Sequence, residues 1–119
     1  MKQRKLFIGD NHIDNISPGS RSDNYMEACL DELQASLEIA KKYKCDSVIF
    51  LGDIFHRIEV SALCRNRVIK ILKSDSNGEP WPFEKFVCVG NHDIDHNMQN
   101  LKKSTLGTLL ESHVLTMVD

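Results

Sequence analysis

The sequence lacks any apolar run long enough to cross a membrane, for which a helix needs about 20 consecutive apolar residues. Its opening "MKQRKLFIGD" is basic, but the apolar stretch there is also too short for a signal peptide. It lacks an excess of either charge. With 15 Lys+Arg against 17 Asp+Glu the net charge is -2, so no global field attracts nucleic acid or lipid, and any affinity for phosphate must be local. It lacks a paired-cysteine motif: Cys29, Cys45, Cys64 and Cys88 lie far apart with no CxxC. They read as reduced core or near-core thiols of a cytoplasmic protein, against a zinc or disulfide role. There is no internal repeat and no low-complexity segment beyond two short loops. At 119 residues the chain holds one domain, 1–119, near the lower end for an α/β enzyme.

What is present alternates between two periodicities. Leu6 to Ile8 reads as a short strand, followed by the loop-rich "GDNHIDNISPGSRSDN". From Tyr25 to about Tyr43, Met26, Cys29, Leu30, Leu33, Leu37 and Ala40 recur at helical spacing, with Asp23 or Asn24 placed to cap the start and "KKYK" near the end. Ser47 to Leu51 is a continuous apolar strand of the kind found in a parallel sheet covered on both faces. A helix is predicted over about Val60 to Lys73, with Leu63, Val68, Ile69 and Leu72 on its buried side, before the turn-rich "SDSNGEPWP". A strand at Phe86 to Val89, a helix within about Ser104 to Glu111 and a strand at Val114 to Val118 complete the pattern. Such alternation predicts an α/β fold with a mainly parallel sheet.

The three first strands share an unusual ending. "KLFIGDNHID" delivers Asp10, His12 and Asp14, "SVIFLGDIFHR" delivers Asp53, His56 and Arg57, and "VCVGNHDIDH" delivers Asn91, His92, Asp93, Asp95 and His96. In open α/β sheets ligands bind outside the carboxyl ends of strands, and such clusters are costly to bury unless hydrogen-bonded or holding a metal. Carboxylate, imidazole and carboxamide together suit Mn²⁺, Fe²⁺ or Zn²⁺ better than Ca²⁺. In an extended segment Asp10 and His12 point to one side and can share an ion. Asp53 could bridge two ions and Asn91 supply a neutral oxygen to the second. Two ions about 3.5–4 Å apart activate water and clamp a phosphate, which is chemistry for phosphoester hydrolysis.

A lone Asp or His after a strand is commonly a turn residue or helix cap. Three instances after three successive strands favour function. His96 and His113, and also Asp14 and Asp95, read as loop residues. Arg57 stands evenly between a phosphate contact and a salt-bridged surface residue.

"GDNHID", "GDIFHR" and "GNHD" resemble, in order, the first three blocks of the calcineurin-like metallophosphoesterase superfamily. Within it the chain looks most like the DNA repair and recombination nucleases, the SbcD subunit and its phage-type relatives, because His56 stands three residues after Asp53. The resemblance implies the N-terminal half of a layered αββα fold and two divalent ions, Mn²⁺ foremost. Asp10 and His12 would bind the first ion, Asp53 would bridge, and Asn91 would bind the second. It further implies His92 at the leaving oxygen, Asp93 orienting its imidazole, and His56 steering the phosphate or DNA end. The partners implied are DNA ends or single strands, an SbcC-like ATPase subunit, and further copies of the chain in a homo-oligomer. Family members continue to a further metal-binding His and a G-H-x-H block, and no GH dipeptide occurs in these 119 residues. At most one tight metal site is therefore expected here. A phosphomonoesterase, a small-molecule phosphodiesterase and a non-catalytic metal- or partner-binding half-domain are the alternatives.

Overall fold

The computed structural model describes residues 3–9, 11–14, 24–52, 54–55, 60–88, 108–110 and 112–117. Its elements are β1 (Lys5–Ile8), α1 (Tyr25–Lys42), β2 (Ser47–Phe50), α2 (Ala62–Lys73), β3 (Glu84–Val87) and β4 (Thr116–Met117). The strands form one four-stranded sheet in the order β1-β2-β3-β4, and every neighbouring pair is parallel. A further helical turn at 108–110 precedes β4; the remainder of the helix expected there, and Val118, lie outside the described residues.

Both helices begin on a polar side chain. The Asn24 carboxamide accepts the Glu27 amide hydrogen at 3.3 Å, and the Ser61 hydroxyl accepts that of Cys64 at 3.2 Å, each satisfying a backbone donor the helix itself cannot. Strands that advance in one direction through right-handed crossovers carry their connecting helices on one face. Accordingly, Leu30, Leu33, Leu37 and Ala40 of α1 and Cys64, Val68 and Leu72 of α2 share one core with Ile8, Val48, Phe50 and Val87 of the sheet. Trp81 and Phe83, stacked with ring centroids 5.5 Å apart, close the core before β3.

Two expectations are corrected. Leu63 is not on the buried side of α2 but 63% exposed. The buried stripe is Cys64, Val68 and Leu72 at four-residue spacing, and Leu63, one position earlier, is turned about 100° away from it. The sheet is covered on one face only among the described residues. On the other, Phe7 is 57% and Leu51 54% exposed.

Candidate functional site

The register places the strand ends side by side. Ile8 pairs with Phe50, Phe50 with Val87, and Val87 with Met117. One step further, the Leu51 amide donates to the Ile8 carbonyl and the Cys88 amide to the Phe50 carbonyl, both at 2.8 Å. The chain thus leaves β1, β2 and β3 at one edge of the sheet. Gly52, at φ 106, turns the chain after β2 through a conformation that only glycine adopts readily. In sequence Asp10 follows β1 by two residues, Asp53 follows β2 by three and Asn91 follows β3 by four. Asp10, Asp53, His56, Arg57, Asn91, His92, Asp93, Asp95 and His96 themselves lie outside the described residues.

The first loop is described from Asn11 to Asp14. His12 is not extended: its φ is 46, in the left-handed region that costs an L-residue roughly 1–2 kcal/mol. The backbone at His12 is therefore not the extended one on which Asp10 and His12 were expected to point to one side. Tertiary hydrogen bonds hold the conformation. The Tyr25 hydroxyl donates to the His12 carbonyl at 2.8 Å, the Cys29 thiol approaches the same oxygen at 3.9 Å, and the Ile13 amide donates to the Ile54 carbonyl at 2.7 Å. Ile13 and Phe55 form an isolated parallel bridge, and Ile13, Ile54 and Phe55 are all buried. The loops that follow β1 and β2 are consequently fastened to each other beyond the strands, flanking the positions of Asp10 and Asp53.

Asp14 lies outside helix and strand, as expected of a loop residue, but is only 2% exposed. Asn11 was not singled out by sequence, yet its Oδ1 is buried and has no hydrogen-bond partner among the described residues. A carboxamide between Asp10 and His12 was the available signal. A buried acceptor without a donor is costly, and its position in this loop is compatible with a nearby cation. Among the described residues no three His, Cys, Asp or Glu side chains gather into a metal-sized group; of the four expected ligands only His12 is described. His113 is exposed at φ 60, where its amide caps the helical turn by donating to the Leu110 carbonyl at 3.1 Å. It behaves as a turn residue, as its sequence context suggests.

An ion pair ties the two helices together. Arg67 of α2 grips the Glu27 carboxylate of α1 with both terminal nitrogens, and this hydrogen-bonded guanidinium holds the Glu27 carboxyl below its usual range. Both side chains are substantially exposed, so the pair is a modest tie between helices.

Two comparisons bear on this geometry. Residues 4–114 match the family model described as calcineurin-like phosphoesterase. Over 103 residues the chain is 31% identical to a protein of Invertebrate iridescent virus 6 named "Putative phosphoesterase 244L", covering 82% of this chain and 30% of that protein. The chain thus spans about a third of the length of the relative it matches.

Proposed function

This chain belongs to the calcineurin-like phosphoesterase family, a family of metal-dependent hydrolases, and we propose that it carries the first three motif loops of a nuclease that hydrolyses phosphodiesters at DNA ends. The observation that carries this reading is the common edge at which β1, β2 and β3 end in register, because it starts all three motif loops beside one another. The fold is the parallel α/β sheet such chemistry is built on, and members of the family bind divalent metal ions.

The donor set fits such ions: Asp10, His12 and Asp53 offer two carboxylates and an imidazole, and Asn91 a neutral oxygen. Bound divalent ions, Mn²⁺ foremost, supply positive charge that neutralises phosphate and acidifies water. His92 gives a proton to the leaving oxygen, and Asp93 orients its imidazole. His56 and Arg57 contact the phosphate or DNA end, which is the feature that favours a nuclease over a phosphomonoesterase. An SbcC-like ATPase and further copies of the chain are the proposed protein partners, in the reducing cytoplasm that its four cysteines, none of them in a disulfide, suit. No helix among the described residues is long and apolar enough to cross a membrane.

The test is hydrolysis of single-stranded DNA, duplex ends and p-nitrophenyl phosphate with Mn²⁺, by the chain and by the chain with any continuation its gene encodes. DNA cleavage is expected where the later metal-ligand histidines are present. Asp53→Ala should abolish metal binding and cleavage together, whereas His92→Ala should keep the metal and lose about 10²-fold or more in rate. Hydrolysis of the aryl phosphate alone would reassign the protein as a phosphomonoesterase. Metal binding without any hydrolysis would leave a non-catalytic module.

A further inference from the structure

We propose that Tyr25 is a positioning residue for His12, holding the loop after β1 in its metal-binding geometry through a single peptide unit; this rests on the reading of His12 as a metal ligand. The His12 carbonyl and the Ile13 amide belong to the same planar peptide. Its oxygen is held by the Tyr25 hydroxyl at 2.8 Å, and its N–H is held by the Ile54 carbonyl at 2.7 Å. Anchoring both ends of one plane fixes its orientation, and with it the ψ of His12 and the φ of Ile13. With β1 holding the chain on the other side of the loop, a plane fixed after His12 also constrains its φ, whose left-handed value of 46 the residue alone would leave.

The two anchors come from different parts of the chain. Tyr25 is the first residue of α1, set in place by the Asn24 cap. Cys29, one turn further on, adds its thiol to the same oxygen at 3.9 Å. Ile54 directly follows Asp53 in the sequence. The clamped peptide therefore joins the start of α1 to both loops that carry the first ion's proposed ligands. The half-buried ring of Tyr25 packs against the core, a task a phenylalanine would perform as well. The hydroxyl is what the clamp requires.

Tyr25→Phe isolates that hydroxyl, with Glu27→Gln as a comparison that loosens the tie to Arg67 on the same helical turn without touching His12. Calorimetric titration with Mn²⁺ should show Tyr25→Phe weaker than wild type by about 10-fold or more and Glu27→Gln unchanged. In metal-free protein, the strong intraresidue HN–Hα NOE that marks a left-handed residue should be present at His12 in the wild type and in Glu27→Gln, and weakened in Tyr25→Phe. An undiminished NOE in Tyr25→Phe overturns the proposal. Equal losses of Mn²⁺ affinity in the two variants also overturn it, since Tyr25 would then act only through general stability. Failure of the wild type to take up Mn²⁺ would defeat the reading of His12 as a ligand and, with it, the metal-positioning role, whereas the NOE would still report whether the backbone clamp exists.

Discussion

At the scale of single residues, His12 combines a strained backbone with a side chain suited to metal. Its φ of 46 is tolerated because the Tyr25 hydroxyl and the Ile54 carbonyl hold the peptide that follows it. A residue without a Cβ would sit there without strain. In metal-free buffer, His12→Gly should therefore be more stable than His12→Ala by about 1 kcal/mol, the reverse of the order expected in ordinary helix or strand, while both variants lose metal affinity. Denaturant unfolding decides it, and equal stability of the two would show that the left-handed conformation is not maintained in solution. The helix caps Asn24 and Ser61 are local devices; the first was legible, as Asp23 or Asn24, from its place before an apolar periodicity. The conformation of His12 was not, because it is imposed by Tyr25, thirteen residues later, and by a backbone carbonyl in another loop. The burial of Asp14 was hidden for the same reason: proximity to the core is a tertiary property.

At the scale of elements, α1 runs from Tyr25 to Lys42 where a three-to-four-residue recurrence of Leu, Cys and Ala required it, and the strands fall within a residue or two of their apolar runs. The misplaced Leu63 shows the limit of periodicity: with Leu63 and Cys64 adjacent and both apolar, the pattern alone could not choose which faces inward. The end of α1 is also closed by an unexpected residue. Lys44 occupies φ 55, and the amides of Lys44 and Cys45 donate to the carbonyls of Lys41 at 3.1 Å and Ala40 at 2.9 Å, a Schellman arrangement usually built on glycine. Just beyond, Asp75 ties the turn before β3 to α1. Its carboxylate accepts from Lys41 Nζ at 2.6 Å, from the Asn77 amide at 2.9 Å and from the Glu79 amide at 3.0 Å. The Lys41 hydrogen bond, followed by that of the Glu79 amide, holds the Asp75 carboxyl below its ordinary 3.8. A carboxyl lowered on folding contributes stability that is full above its unfolded pKa and is lost as the pH falls through the folded one. The Tm difference between wild type and Asp75→Asn should accordingly be constant near neutrality, shrink once the pH drops below the ordinary carboxylate range, and vanish beneath the folded pKa. A difference that persists undiminished in strong acid would mean that the charge of Asp75 is not what stabilises the turn. The same contact raises the pKa of Lys41, so its contribution is complete below the ordinary lysine value and is lost only as the pH rises through the raised folded value.

At the scale of the molecule, the governing feature is a parallel sheet that the described residues cover on one face. Its apolar strands predicted cover on both sides, since all-parallel sheets seldom face water, yet both helices lie on the side of Ile8, Val48, Phe50 and Val87. The opposite side carries the row Lys5, Ser47 and Glu84 and then the row Phe7, Ile49 and Phe86. Sequence could read how apolar these strands are but not which layer is present to cover them, because that depends on chain packed from elsewhere. With Phe7 57% and Leu51 54% exposed, this face should bind an apolar dye although the fold is intact. The protein should enhance ANS fluorescence while the near-UV circular dichroism of Trp81, fixed by its stack on Phe83 and its 2.6 Å hydrogen bond to the Ile71 carbonyl, remains native. That combination separates an open native face from a molten globule, which binds the dye but loses the near-UV signal. Replacing Phe7 and Leu51 together by Ser should lower the dye signal, with a change in stability of about 0.5 kcal/mol or less per site, because neither side chain is part of the buried core. A native near-UV spectrum with no dye enhancement would show instead that this face is covered in solution. A double variant that unfolds would place Phe7 and Leu51 inside the core and refute the one-sided sheet.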